Sequence, residues 1–323
     1  MVERRRLGNT ELHITPIGFG TWALGGSGWS YGWGHQDDFD SIVAIRRAVE
    51  LGINWLDTAP VYGLGHAEEV VARALREIPA SLRPLIFTKC SLVWDERRKL
   101  SHSLKAESIK REVDESLSRL GVETIDLYQV HWPAFRPGDP APDIEEGWET
   151  MVELQSAGKV RYLGASNFNV EQLERARAIA PVDSLQSPYS LLARDIETEL
   201  LPYCQRRNVG VIVYSPLQSG LLSGKMTRER IASLPDNDWR AKKNQAFQEP
   251  ALSRNLDRVE FIRTLGQRSD RSAAEVAIAW TLHHPAVTGA IVGGRSPSQV
   301  DGFIGAIEYR LTEAELSEIE AAL

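Results

Sequence analysis

The chain has 323 residues, 42% of them hydrophobic, which suffices for a large core and fits either two ordinary domains or one large α/β barrel. A net charge of −7 leaves no basic footprint for general nucleic-acid affinity, and no window comes near the ~20 apolar residues of a membrane span. Cys90 and Cys204 lie far apart and fit reduced thiols, and the arginine run at 4–6 lacks the apolar stretch of an export signal, so a cytoplasmic location is expected.

Residues 4–14 read as a short hairpin turning at Gly8-Asn9, and 14–19 as a first strand. Asp37 or Asp38 caps a helix running to about Leu51, with Ile42, Ile45 and Val49 at helical spacing and Gly52 closing it. Strands and helices then alternate. Strand 53–56 precedes helix 67–78, strand 85–88 precedes helix 106–120, and strand 125–130 precedes helix 144–157. Strand 160–164 precedes helix 170–179, and strand 184–185 precedes helix 196–207, where Pro202 predicts a kink or a late start. Strand 209–213 leads into a polar stretch, 215–253, too long for an ordinary connection and therefore read as functional or inserted. Helices 256–266 and 273–283, a last strand 290–292 and closing helices 298–307 and 313–322 complete the chain.

Eight such units of short apolar strands imply a parallel sheet covered on both sides. At this length a closed (β/α)8 TIM barrel is favoured, an α/β fold of one domain over 1–323. It carries an N-terminal β-hairpin, a C-terminal extra helix and an inserted loop segment at 219–255.

Three motifs lack the context their chemistry needs. Gly18 to Ala23 fits G-x-G-x-x-A after a strand, but small residues rather than a helix follow Leu24. Gly220 to Lys225 resembles a phosphate loop one residue short, with Met226 in place of the hydroxyl. His283 and His284 are adjacent and face different sides of a helix, and neither H-E-x-x-H nor C-x-x-C occurs, so no metal is expected.

The polar residues that end the predicted strands are Asp57, Lys89, His131, Ser166-Asn167, Gln186 and Tyr214. Each alone reads as a turn cap or a solvated side chain, but in a barrel all point into one mouth, where such folds place their chemistry. Tyr62 stands five residues beyond Asp57, in the loop after its strand. A phenol with an ordinary pKa of about 10 is a poor acid at neutral pH, and an ammonium beside it lowers that value. Lys89 supplies the ammonium, Asp57 keeps it charged and placed, and His131 donates a hydrogen bond to a substrate oxygen. The set makes an acid for an alkoxide forming from a carbonyl, with the hydride left to a cofactor.

Over essentially its whole length the sequence resembles the aldo-keto reductase superfamily. The motifs are D-T-A-P-V-Y-G at 57–63, F-T-K at 87–89, L-Y-Q-V-H-W-P at 127–133, G-A-S-N-F at 164–168, Y-S-P-L at 214–217 and G-G-R-S-P-S-Q at 293–299. The likeness is to bacterial members with a long segment after strand seven, here containing L-P-D-N-D-W-R. It implies Tyr62 as general acid, tuned by Lys89 and Asp57, with His131 orienting the carbonyl. It also implies a nicotinamide carboxamide on Ser166, Asn167 and Gln186, a ring stacked on Tyr214, and a pyrophosphate belt at Leu217, Ser219, Gly220 and Leu222. Arg295 and Ser296 match positions for an adenosine 2′-phosphate, so NADPH is favoured over NADH, which stays possible. Gly20, Thr21, Trp22, Ser215, Lys225, Gly293 and Gln299 complete the implied cofactor set. Gly302 and Phe303 stand where the family has an acid and an asparagine against the adenine. Trp22, Trp29, Tyr31, Trp33, Trp94 and Trp132 are the expected substrate wall.

The leading expectation is an NADPH-dependent reductase of small aldehydes and ketones such as glyceraldehyde, methylglyoxal or sugar aldehydes, acting as a monomer. The alternatives are a cofactor-binding regulatory protein resembling potassium-channel β subunits, and a barrel aldolase with Lys89 as Schiff base.

Overall fold

The computed structural model describes residues 2–134, 143–236 and 238–322. Strands β1 (Arg5–Arg6) and β2 (His13–Ile14) form the N-terminal hairpin. The parallel barrel consists of β3 (Ile17–Gly20), β4 (Trp55–Asp57), β5 (Leu85–Cys90), β8 (Ile125–Val130), β9 (Val160–Ser166), β10 (Ser184–Pro188), β11 (Gly210–Tyr214) and β12 (Val287–Gly293). These strands pair in chain order, and β12 closes on β3. Between β5 and β8 lies a second hairpin, β6 (Leu92–Trp94) and β7 (Leu100–His102).

The connecting helices are α1 (Asp38–Glu50), α2 (His66–Glu77), α3 (Ala106–Leu120), α4 (Ile144–Ser156), α5 (Val170–Arg177) and α6 (Leu200–Arg207). After β11 come α7 (Arg228–Ala232), α8 (Trp239–Lys243), α9 (Ala251–Gln267) and α10 (Ala273–His283). α11 (Pro297–Asp301) and α12 (Glu313–Ala322) follow β12. No helix among the described residues is long and apolar enough to cross a membrane.

The barrel interior has two ends of different character. At the N-terminal end the first hairpin acts as a plug: Leu7, Leu12 and Ile14 pack on Trp55, Phe87, Leu127, Ile212 and Ile291. The Trp55 indole donates to the Thr15 carbonyl at 2.9 Å, so its one polar atom is satisfied inside an apolar floor. At the opposite end the register sets Asp57 beside Gly20, Lys89 beside Gln129 and Gln186 beside Ser166. Every strand-end polar residue therefore meets at one mouth.

Some boundaries differ from the sequence reading, for local reasons. The helix expected at 196–207 starts late, at Leu200 after a short 3-10 turn, so Pro202 falls in the first turn where no intrahelical N–H is missed. α9 begins at Ala251 rather than 256, with Leu252 and Asn255 already buried. The closing segment 298–307 is broken at Gly302-Phe303 into α11 and a 3-10 turn, Ile304–Ile307. The β6–β7 hairpin is too short for alternation to reveal. Its turn is made by Asp95, whose carbonyl accepts from Arg98, a residue in the left-handed region at φ 61°.

Candidate active site

β5 delivers Lys89, which is fully buried, and its ammonium reaches three oxygens. Asp57 Oδ1 lies at 2.6 Å, the Thr58 carbonyl at 2.9 Å and the Tyr62 hydroxyl at 3.3 Å. The turn after β4 carries Tyr62 back over the mouth and then runs into α2 through Gly63, Leu64 and Gly65, all at positive φ. His131 follows β8, is buried, and meets the Tyr62 ring edge-on at 5.8 Å between centroids. The structure thus gathers Asp57, Tyr62, Lys89 and His131 into one pocket.

Electrostatics within this pocket are dominated by desolvation. Burial, reinforced by Asp57 and Tyr214, pushes the Tyr62 phenol well above its usual range, so it stands protonated. This reverses the expected sign, in which Lys89 lowered the phenol. Burial pulls the Lys89 ammonium down while Asp57 pulls it up, and burial wins. His131 is driven well below the usual imidazole range by burial and by the neighbouring Lys89 charge, so it is neutral at neutral pH.

Gln129 is a residue of the site that the strand-end survey passed over. It lies inside β8 rather than at its end, fully buried. Its amide donates to Asp57 Oδ2 at 3.4 Å, and its carbonyl oxygen accepts from Gln186 Nε2 at 3.1 Å. Gln186 Nε2 also donates to Asp57 Oδ2 at 2.8 Å. The signal was available: a glutamine two residues before His131 in the strand points to the same side as that histidine. Gln186 therefore holds Asp57, a contact beyond the carboxamide role that the resemblance implies for it.

Asn167 sits in the left-handed region at φ 61°. Its amide donates to the His131 carbonyl at 2.9 Å and to Ser166 Oγ at 3.0 Å, and its oxygen accepts from the Tyr214 hydroxyl at 2.9 Å. Thr21 donates to the Asp57 carbonyl from both its N–H and its hydroxyl, and Gly20 and Gly293 lie opposite each other on β3 and β12. Beyond β11, Ser215, Gln218 and Ser219 all have positive φ, and Gly220 at φ 92° has open space where a Cβ would stand. Leu217 and Leu222 are tied by a backbone bond. Lys225 brings its ammonium beside Gly302.

The aromatic residues divide into two groups. Trp22 and Trp29 lie 5.1 Å and 6.1 Å from the Tyr62 ring, Tyr31 packs on both, and Trp94 and Trp132 join the same cluster. Trp33 is elsewhere. It pairs with Asp238 in an antiparallel bridge, and the Arg240 guanidinium covers its ring at 4.5 Å. Its place beside Tyr31 is taken by Trp239, at 6.4 Å, a contact across two distant loops that no local pattern announces. Arg295 is drawn into the Trp33 corner: Nε donates to Gln36 Oε1 at 2.5 Å, Nη1 to the Trp33 carbonyl at 3.4 Å, and Nη2 to the His35 carbonyl. Ser296 Oγ meets Ser298 Oγ at 3.0 Å, and Gln299 accepts from the Arg295 N–H at 2.9 Å. No group of three or more His, Cys, Asp or Glu side chains among the described residues is arranged to hold a metal ion.

The same barrel occurs in other proteins. A family described as the Aldo/keto reductase family matches residues 16–323. Aldo-keto reductase YhdN of Bacillus subtilis (strain 168) is 36% identical over 323 residues, 100% of this chain and 94% of that protein. The NADH-specific methylglyoxal reductase of Escherichia coli (strain K12) is 34% identical, covering 96% of this chain and 94% of its own. Among solved structures, a glycerol dehydrogenase from Gluconobacter oxydans superposes with a TM-score of 0.87 at 37% identity, over 99% of this chain and 95% of that one. An aldo-keto reductase from Klebsiella pneumoniae in complex with NADPH superposes with a TM-score of 0.74 at 25% identity, again over 99% and 95%. With its fold, its mouth and the match across nearly all its length in agreement, the chain belongs to the aldo/keto reductase family of oxidoreductases.

Proposed function

We propose that this protein reduces small, polar aldehydes and ketones to alcohols with a nicotinamide dinucleotide, reversibly, and that Tyr62 is the acid. The observation that carries this reading is the buried Lys89 ammonium, 2.6 Å from Asp57 and 3.3 Å from the Tyr62 hydroxyl, beside a neutral His131. The family relatives named for methylglyoxal and glycerol support a small oxygenated substrate. The aromatic cluster around Tyr62 gives such a substrate a wall.

The cofactor's site is tested by the backbone. Left-handed non-glycine residues are costly and gather where function requires them. Here Asn167, Ser215, Gln218 and Ser219 cluster at the ends of β9 and β11, with Gly220 open beside them. That concentration of turned backbone, with the hydroxyl of Ser166 and the ring of Tyr214, fits a nicotinamide and its pyrophosphate. When bound, the dinucleotide supplies or accepts the hydride. Both NADPH and NADH are compatible, since the relatives include an NADPH complex and an NADH-specific enzyme.

The side chains handle the proton. His131, neutral, directs the carbonyl oxygen toward the phenol. Tyr62 gives that oxygen its proton as charge develops, and the adjacent ammonium stabilises the phenolate that remains. Asp57 holds the ammonium, and Gln129 and Gln186 occupy the second carboxylate oxygen so that it does not compete for Tyr62. Lys89 is enclosed and three times hydrogen-bonded, which speaks against an amine nucleophile.

The test is Tyr62→Phe, which removes one oxygen from a packed ring. Carbonyl reduction should fall by at least ~10³-fold, within the combined reach of acid and electrostatic catalysis, while dinucleotide binding is unchanged. Undiminished turnover in this variant sinks the assignment of Tyr62.

A further inference from the structure

Arg295 follows β12, between the loop that carries Trp33 to Gln36 and the loop that carries Asp238 to Arg240. A guanidinium recognises phosphate best through its Nε–Nη2 edge, where two parallel N–H groups match two oxygens. In this structure that edge is closed. Nε donates to Gln36 Oε1 at 2.5 Å, Nη2 donates to the His35 carbonyl, and Nη1 points at the Trp33 carbonyl at 3.4 Å.

Gln36 is itself fixed rather than draped over the arginine. Its amide nitrogen donates to the Arg295 carbonyl at 2.9 Å, to Ser41 Oγ at 3.0 Å and to the Asp37 carbonyl at 3.2 Å. Asp37 is the N-cap of α1, accepting from the Phe39 and Asp40 N–H groups. The amide is therefore anchored by the first turn of a helix, and Arg295 is clasped from a loop nearly the full length of the chain away in sequence.

We propose that Gln36 sets the dinucleotide preference: by closing the Arg295 fork it withholds the guanidinium from a 2′-phosphate, so that NADH and NADPH bind with comparable affinity. The inference rests on the cofactor reading above and sharpens it. A 2′-phosphate gains Arg295 only by displacing Gln36 and the His35 carbonyl, and a dinucleotide without that phosphate displaces neither. The charge needed for phosphate is still present in the corner. Asp238 pairs with Arg240 through contacts at 2.7 Å and 3.0 Å, while the Arg295 contacts named above are all to neutral oxygens.

The experiment measures dissociation constants of NADP+ and NAD+ by quenching of tryptophan fluorescence, for the parent chain, Gln36→Ala, Gln36→Glu and Arg295→Met. The parent should hold both dinucleotides within about tenfold of each other. Gln36→Ala should tighten NADP+ by roughly tenfold, the worth of one charge-assisted contact released, and leave NAD+ unchanged. Gln36→Glu should weaken NADP+ by at least as much, since a carboxylate holds the fork more firmly and repels phosphate. In an Arg295→Met background the Gln36 effect should vanish. If Gln36→Ala leaves NADP+ binding unchanged, weakens it, or moves both dinucleotides together, the inference fails while the cofactor reading stands. If the parent binds neither dinucleotide, the cofactor reading fails and takes the inference with it.

Discussion

Burial rather than charge pairing sets the protonation of the site's side chains, and the same rule reaches one layer outward. Glu112, on α3, is buried, and it accepts the Ser91 N–H at 2.9 Å and the Ser108 hydroxyl at 3.0 Å. Ser91 is left-handed at φ 82°, and its hydroxyl both donates to and accepts from the Trp132 backbone. This ties the segment after Lys89 to the segment after His131. Desolvation raises the Glu112 carboxyl to about 7 from an ordinary 4.5. The folded value lies above the unfolded one, so the folded protein binds the extra proton between about pH 4.5 and 7. Stability contributed by Glu112 is thus full at acid pH and is lost as pH rises through that window. Glu112→Gln keeps an acceptor for Ser91 and removes the ionisation. It should stabilise the fold by up to about 3 kcal/mol at pH 8 and by less than about 1 kcal/mol at pH 5. Urea unfolding at the two pH values checks this, and parallel behaviour of the two proteins would refute it. For His131 the sign is opposite: its folded value is depressed, so stability holds above about pH 6.5 and declines as pH falls below it. His131→Gln should flatten that acid limb in the same measurements. That Asp57, Tyr62, Lys89 and His131 share one pocket was legible because three of them end or follow apolar strands and Tyr62 stands in the loop just beyond Asp57. The direction of the Tyr62 shift was not, since it depends on how completely the pocket excludes water.

At the scale of elements, legibility followed the local signals. Ala106–Leu120, Ile125–Val130, Ala273–His283 and Glu313–Ala322 lie where the sequence placed them. Gly121 ends the first in the left-handed region, and a Ser272–Glu275 capping box opens the third. The short strands, by contrast, owe their extent to pairing: β10 runs to Pro188 because β11 supplies partners as far as Tyr214. Side-chain fit inside the barrel was equally hidden. A Cβ on Gly18 of β3 would lie 2.2 Å from the Trp55 ring. Trp55 is fully buried against the hairpin plug and has nowhere to move. Gly18→Ala should therefore cost roughly 2–3 kcal/mol through overpacking, although alanine suits the strand backbone better than glycine. Chemical denaturation measures it, and a neutral or stabilising result would show that the floor of the barrel yields.

At the scale of the whole molecule, two loops close over β12, the strand between β11 and β3. Trp33 and Asp238 pair across them, the Trp239 N–H donates to the Gly32 carbonyl at 3.3 Å, and Tyr31 and Trp239 pack ring to ring. Arg240 fastens the junction from above, with its guanidinium on the Trp33 ring and Nη1 toward the Ser219 carbonyl at 3.4 Å. The described residues between β11 and α9, read from sequence as part of one long polar segment, thus include α7 and α8 and pack Leu221, Met226, Ile231 and Phe247 against Leu252 of α9. Their contact with the first loop crosses some two hundred residues of chain, which is why nothing local foretold it. If the dinucleotide proposed above lies along the ends of β11 and β12 and passes beneath this bridge, its release would need the Trp33–Arg240 contact to open. An exposed cation–π pair contributes about 0.5–1 kcal/mol, and a partly desolvated one about 2. Arg240→Ala removes that contact, the carbonyl bond and the ion pair to buried Asp238 without touching Asp57, Tyr62, Lys89 or His131. Dissociation of the reduced dinucleotide, followed by stopped-flow fluorescence, should accelerate by roughly 5- to 30-fold. If release limits turnover, kcat should rise with it, whereas the isotope effect of a deuterated hydride donor should grow as chemistry becomes limiting. An unchanged dissociation rate would mean that the bridge is not the gate and that the dinucleotide leaves by the open side of the mouth.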